Sequence, residues 1–413
     1  MTAVVEAPAP TDQGHRPGTA GYRRVVGALF AAGVATFALI YSTQAILPEL
    51  AARFGVSTAA STLTVSLTTL GLGVMLLVAG PLSDVVGRTR LIHLSLIASA
   101  VVAAAGALAP SWPALLASRL AEGAVLAGLP AVATAYLREE LHPSTHARAA
   151  GLYVGGTALG GMVGRLLTAS VAEFAGWRWA LASTACLGLV CALAVRSLLP
   201  PSRHFVPQPT GLRALARTSL RAVTDPGLLA LYGVGGCSMG ALVAVFNTMG
   251  FRLTQGAFGL GLGAAGLVFL VYPVGSISST AFGRLADKYG RRTVLPLACL
   301  LTVAGALLTL PSSLVVVIAG LAVFTGGFFA VHGVASGWVP ARAHAGGVST
   351  GQAASLYLFT YYLGSSVFGS VAGRAWTGAG WPGVVILATV LLAATGALTL
   401  LLRRTPALVS GAR

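Results

Sequence analysis

Apolar residues in this chain run in long blocks, with none of the short alternation that marks a half-buried strand. A helix needs about 20 mainly apolar residues to cross the hydrocarbon core of a bilayer. The blocks predict spans at residues 25–48, 59–81, 91–109, 112–136, 149–172 and 177–199, and again at 228–250, 261–283, 293–310, 313–338, 350–372 and 381–402. Two divisions rest on little punctuation: Pro110, Ser111, Trp112 and Pro113 part the third span from the fourth, and Pro311, Ser312 and Ser313 part the ninth from the tenth. The pattern predicts an all-α membrane protein of twelve transmembrane helices in two six-helix bundles. The expected organisation is a disordered tail over 1–22, a first bundle over 23–199, a linker over 200–226, a second bundle over 227–403 and a short tail over 404–413.

The tail is rich in Pro, Ala and Gly and carries Glu6 and Asp12. It lacks a basic start and an apolar core, so it does not read as a signal peptide. The linker opens on Pro200 and Pro201. Arg213, Arg217 and Arg221 then recur every four residues, opposite Leu212, Leu215 and Leu220, which predicts a short amphipathic helix on the membrane surface.

Composition strengthens the membrane reading. Only 9% of residues are charged and 56% are apolar, whereas a soluble domain carries about 25% charged residues. Such a chain cannot cover a water-facing surface. Its 53 glycines suit helices that approach closely within lipid. The net charge of +16 could point to nucleic acid, but the basic residues sit in short connectors, so no nucleic-acid partner is expected. With the N-terminus inside, 20 of the 26 Lys and Arg fall on inner segments, 4 on outer connectors and 2 within spans. That bias places both termini in the cytoplasm of a multi-pass inner (plasma) membrane protein. All six tryptophans fall at predicted span ends. Cys186, Cys191, Cys237 and Cys299 lie in apolar stretches without ligand spacing and are expected to be buried apolar fillers, not a disulfide framework or a metal site.

One motif occurs twice. Gly80-Pro-Leu-Ser-Asp84-Val-Val-Gly87-Arg88-Thr-Arg90 follows the second span, and Gly283-Arg-Leu-Ala-Asp287-Lys-Tyr-Gly290-Arg291-Arg292 follows the eighth, 203 residues later. The glycines permit a tight turn between antiparallel spans. The arginines anchor it at the headgroups, and an aspartate at that depth needs a positive partner.

In this motif the chain resembles the major facilitator superfamily, over nearly its whole length from about residue 22. It looks most similar to the twelve-span drug/proton antiporter branch, near the YnfM-type proteins, through Ser118-Arg119-Leu-Ala-Glu122-Gly123, through Gly151 to Gly161, and through the run containing Tyr357, Tyr361 and Tyr362. The resemblance implies alternating access by two rocking halves. It also implies that Asp84 and Arg88 latch the halves at the cytoplasmic side in the outward-facing state. One departure stands out: Gly160-Gly161 replaces the branch's Gly-Pro pair, and Arg165 follows Gly164. The resemblance therefore carries the fold further than it carries antiport.

Only Arg119, Glu122 and Arg165 place a charge, histidine aside, well inside spans. A buried charge costs several kcal/mol unless paired or hydrated, which marks each as a functional candidate. Arg119 and Glu122 share a helix face at three residues' spacing. At about 1.5 Å per residue, Arg119 and Arg165 both lie about 10 Å below the outer surface. If consecutive spans are neighbours, the three form one cluster. In one reading Glu122 only neutralises an arginine and fixes packing. In a second it carries a proton across, with Arg119 and Arg165 as coupling partners, a role the resemblance implies for Arg119. In a third an arginine holds an anionic substrate group.

Tyr41, Gln44, Asn247, Tyr272, Tyr357 and Tyr361 are the candidates for walls of a substrate cavity, and each could equally be packing glue. His332 reads as a packed or hydrogen-bonded residue. No Gly-x-Ser-x-Gly, HExxH, paired catalytic aspartates, Walker A or cofactor motif occurs. The expectation is a monomeric secondary transporter of a small-molecule substrate, without cofactor, moving protons against an organic solute or drug in efflux. A sugar or organic-acid exporter and an uptake permease are the alternatives; an intramembrane enzyme is the reading least supported.

Overall fold

The computed structural model describes residues 14–203, 205, 220–256 and 258–405. The described chain folds as α1 (Ala20–Ile40), α2 (Leu47–Phe54), α3 (Thr58–Ser61), α4 (Leu63–Val86), α5 (Arg88–Ala107), α6 (Trp112–Leu126), α7 (Gly128–Glu140) and α8 (His146–Leu198). After the linker come α9 (Pro226–Thr254), α10 (Leu262–Gly266), α11 (Tyr272–Tyr289), α12 (Arg291–Leu308), α13 (Leu314–Ala345) and α14 (Thr350–Arg404). Joined across short breaks, these make 10 helical stretches long and apolar enough to cross a membrane, among the described residues.

Two of them are too long for one crossing. At 1.5 Å per residue, the 53 residues of α8 and the 55 of α14 would each reach about 80 Å, against a hydrocarbon core of about 30 Å. Each breaks where the pattern predicted a boundary: α8 at Gly176 (φ 80°, ψ 171°) and α14 at Ala379 and Gly380 (φ 60°, ψ −150°). Dividing them there gives twelve crossings. The tenth runs beyond its predicted end to Ala345, which puts Trp338 inside the helix.

The repeated motif folds as a repeated turn. Gly87 has φ 99° and ψ 143°, and Gly290 has φ 86° and ψ 140°. Only glycine enters this region without a steric cost. Each ends one helix and starts the next, and each donates its N–H to the carbonyl four residues back, Ser83 or Ala286, at 3.0 Å. At the opposite end each half sets an arginine, from non-equivalent positions, against the end of its third span. Arg178 donates to Ala109 O and lies over Trp177, while Arg252 donates to Thr309 O, Leu310 O and Pro311 O and lies over Trp381. Both arginines satisfy carbonyls left free where the third span of their half ends.

Glycine decides which helices become neighbours. The first part of α8 lies on α1 through Gly156, Gly160 and Gly164, one per turn; a Cβ on Gly160 would stand 2.2 Å from Val34 O. The α6 backbone approaches α4 in the same way, with Gly123 against Thr68 O. So the fifth crossing packs on the first and the fourth on the second. A core of Val25, Leu29, Leu96, Leu129 and Tyr136 belongs to the first half, and a larger one runs through the second half and across to Leu39 and Leu72.

The halves close on each other at the end away from the repeated turns. There Glu173 Oε2 accepts from Gly263 N at 3.0 Å, and Ala59 meets Gly373. Deeper in, Ser370 Oγ donates to Ser66 Oγ at 2.9 Å. The hydrogen bonds described between the halves lie at this end and at mid-depth.

Two expectations change. Cys186 is exposed and Cys237 only partly buried; Cys191 and Cys299 are buried, and all four are free. The expected linker helix falls mostly outside the described residues; of its positions Leu220 and Arg221 are described, and both are exposed.

Candidate functional site

The site is built on a break in the first crossing. Helix α1 stops at Ile40, three residues turn, a single 3-10 turn covers Gln44–Ile46, and α2 restarts at Leu47. Pro48 explains the break, since it lacks an N–H and its ring excludes the carbonyl four residues back, at Gln44. Ser42 and Thr43 favour the turn. A broken helix in an apolar interior leaves carbonyls that need donors from elsewhere.

Arg119 supplies them. Its Nη2 donates to Leu39 O at 3.1 Å and Ile40 O at 2.9 Å, Nη1 to Ser42 Oγ at 3.0 Å, and Nε to Thr64 O at 3.3 Å. Nη1 also pairs with Glu122 Oε2, one helical turn along α6. A guanidinium has five N–H groups, and these five acceptors use the full set. Arg119 and Glu122 are 2% and 1% exposed, and Glu122 Oε1 has no hydrogen-bond partner.

Arg165 does not join this pair. Its Nε donates to Gln44 Oε1 at 2.6 Å and its Nη1 to Gly161 O. The guanidinium carbon lies 4.3 Å from the Tyr41 ring centre, 4.7 Å from Tyr272 and 5.1 Å from Phe269. Arg165 is 2% exposed and pairs with no carboxylate among the described residues. The single three-charge cluster expected from neighbouring spans is thus two groups. Its premise fails because the fourth crossing packs on α4 and the fifth on α1, with the α1 break between the two arginines.

The six cavity candidates are all buried. Tyr41 and Tyr272 flank Arg165 from opposite halves. Gln44 Nε2 donates to Asn247 Oδ1 at 2.6 Å. Gln44 must present its oxygen to Arg165, which has nothing to accept with, so its amide nitrogen faces Asn247. Asn247 Nδ2 is left without an acceptor. Tyr357 and Tyr361 stack side by side, with ring centres 6.4 Å apart. His332, which lies against both rings, exchanges a 3.0 Å hydrogen bond with Tyr357 Oη. Rings continue from Tyr272 through Phe329 and Phe328 to Tyr361, forming one aromatic wall of the second half. Sequence reasoning missed Phe269, Phe328 and Phe329 because a phenylalanine in an apolar span carries no signal of its own.

The two motif copies differ in chemistry. Arg88 pairs with Asp84 at 2.6 Å and Glu139 at 3.0 Å and also bonds Ser83, all within the first half. Arg90 is exposed. In the second copy Asp287 is exposed and makes no ion pair among the described residues, Arg291 is half-buried, and Arg292 donates to Arg403 O and Thr405 O at the end of α14. Asp84 and Arg88 pair within the first half and do not bridge the halves here.

The family model for the Major Facilitator Superfamily matches residues 29–280 and 254–412. The MFS-type transporter YybF of Bacillus subtilis is 39% identical over 378 residues, covering 91% of this chain and 93% of that one. The inner membrane transport protein YnfM of Escherichia coli is 40% identical over 375 residues, covering 91% and 89%. Among solved structures, a bacterial homolog of the human lysosomal transporter Spinster, in an inward-facing and occupied conformation, superposes with a TM-score of 0.76 at 15% identity, covering 95% of this chain and 98% of that one.

Proposed function

The chain belongs to the major facilitator superfamily, and on that premise we propose that it exports a small organic solute by alternating access, driven by protons through Glu122. The observation that carries this reading is the five-bond grip of Arg119. The same guanidinium holds Glu122 and the loose carbonyls of the α1 break. The break also presents Tyr41 and Gln44 to the second half. Protonating Glu122 removes the counter-charge of Arg119 and strengthens its hold on the backbone carbonyls. A proton at one site then biases the contact between halves, as coupling requires.

The end with the repeated turns carries most of the basic residues, which supports placing it, with both termini, in the cytoplasm. The seal described between the halves then lies on the outer side. In the outward-open state Asp84 and Arg88 would close the cytoplasmic end. Export follows the resemblance to the antiporter branch; uptake would couple the same inward proton movement to solute moving in the same direction.

The test is transport in proteoliposomes carrying an internal pH dye, with Glu122→Gln beside the wild type. The variant is expected to lose proton movement and the pH dependence of solute flux while keeping its fold. A wild-type rate for Glu122→Gln across the pH series defeats the coupling role.

A further inference from the structure

Arg165 is a buried cation whose accounts do not close. An unpaired charge in a protein interior is strongly unfavourable. Hydrogen bonds to Gln44 and Gly161 and contacts with three ring faces offset part of that. Arg119 needs nothing more, because all five of its N–H groups have acceptors and Glu122 balances its charge. Arg165 has no such balance among the described residues. It also sits where a solute would pass. Gln44 and Asn247 are 203 residues apart, the same offset as the two turn motifs, so they are equivalent positions that meet across the pseudo-twofold axis. Arg165 hangs on this pair, and solute sites in such repeats lie at the repeat interface.

We propose that Arg165 anchors the carboxylate of a small organic acid, with the aromatic wall from Tyr272 to Tyr361 receiving a flat apolar body. The inference rests on the solute-transport reading and names the chemical class that site takes. A guanidinium matches a carboxylate in charge and in bidentate geometry. A dianion would need a second free cation, and Arg119 is fully engaged. Phe329 and His332 are only partly buried, so the wall reaches open space. In the described arrangement the Tyr41, Tyr272 and Phe269 rings occupy the guanidinium faces. Two of these rings belong to the second half, so rocking the halves apart strips them from Arg165 and frees it for an anion.

The experiment uses the purified full chain in detergent with benzoate as probe and benzamide as its neutral isostere. A ligand that binds only the folded state raises the melting temperature with its concentration. Benzoate is expected to give a saturable rise and benzamide none. Arg165→Gln should lose the benzoate response, and Arg165→Lys, a point charge without the fork, should bind about tenfold more weakly or worse. The proposal is overturned if benzoate and benzamide act alike, if benzoate gives no rise, or if Arg165→Gln responds as the wild type does. The comparison of the two probes on wild-type protein stands even if a variant does not fold. No membrane or proton gradient enters this readout, so its failure leaves Glu122 untouched, and a failure of proton coupling leaves the benzoate result untouched.

Discussion

Gln44 and Asn247 are the same position in the two halves, and they hydrogen-bond to each other at 2.6 Å. Equivalent residues can touch only on the axis that relates them, so this bond marks the centre of the molecule. The two sides then diverge in chemistry. Gln44 is held by Arg165, while the position 203 residues after Arg165 is Phe368, so the second half offers Asn247 no such partner.

This bond should be more costly to break on one side than its own strength suggests. Asn247→Leu removes the acceptor of Gln44 Nε2 and leaves that donor buried and unmet. Such a loss costs about 1–3 kcal/mol. A thermal melt of the purified variant should fall accordingly, and an unchanged melt would show that the axis pair is not part of the closed seal.

The turn glycines should respond by backbone geometry alone. Gly87→Ala and Gly290→Ala each force a Cβ into a positive-φ, extended-ψ region that is nearly Gly-only, at about 1–3 kcal/mol. Gly80→Ala and Gly283→Ala lie in helix with open space around them and should gain about 0.5–1 kcal/mol from the better helix propensity of alanine. Melting temperatures of the four variants, measured side by side, distinguish turn glycines from helix glycines within one motif.

Asp225 and Arg342 should show a pH-dependent contribution. Asp225 caps α9, accepting from Leu228 N at 2.7 Å, and pairs with Arg342 Nε at 2.6 Å. Burial pushes its carboxyl up, but the hydrogen bonds from Arg342 and from the Leu228 and Gly227 amides, with the nearby guanidinium charge, outweigh that and hold it below the usual carboxylate range. A carboxylate depressed on folding stabilises at pH above its unfolded value, about 3.9, and loses that stabilisation as pH falls through the lower folded value. The stability gap between wild type and Asp225→Asn is therefore expected at pH 7 and should close below about pH 4. A gap that is constant down to pH 3 would assign Asp225 a purely geometric role.

Much of this protein is readable along the chain because its signals are local. Apolar blocks must be helical in lipid, since no water satisfies a bare backbone, and their lengths give the crossings. Gly87 and Gly290 are legible as turns from their spacing, and Arg119, Glu122 and Arg165 stand out because charge is rare inside such blocks. Gly176 and Gly380 fall at predicted boundaries for the same local reason.

What the tertiary structure decided is who meets whom. Glycine seams set the fifth crossing on the first and the fourth on the second, so Arg119 and Arg165 ended on two sides of the α1 break. Pro48 hints at that break, but which arginine satisfies the freed carbonyls depends on residues 80 positions away. The motif copies show the same limit. They are alike in sequence and in backbone, yet only Asp84 finds a partnered Arg88, because Glu139 from another helix completes that network. Sequence spacing determined the frame and the places where charge enters it; long-range packing determined that, of Arg119, Glu122 and Arg165, Arg165 has no counter-charge among the described residues.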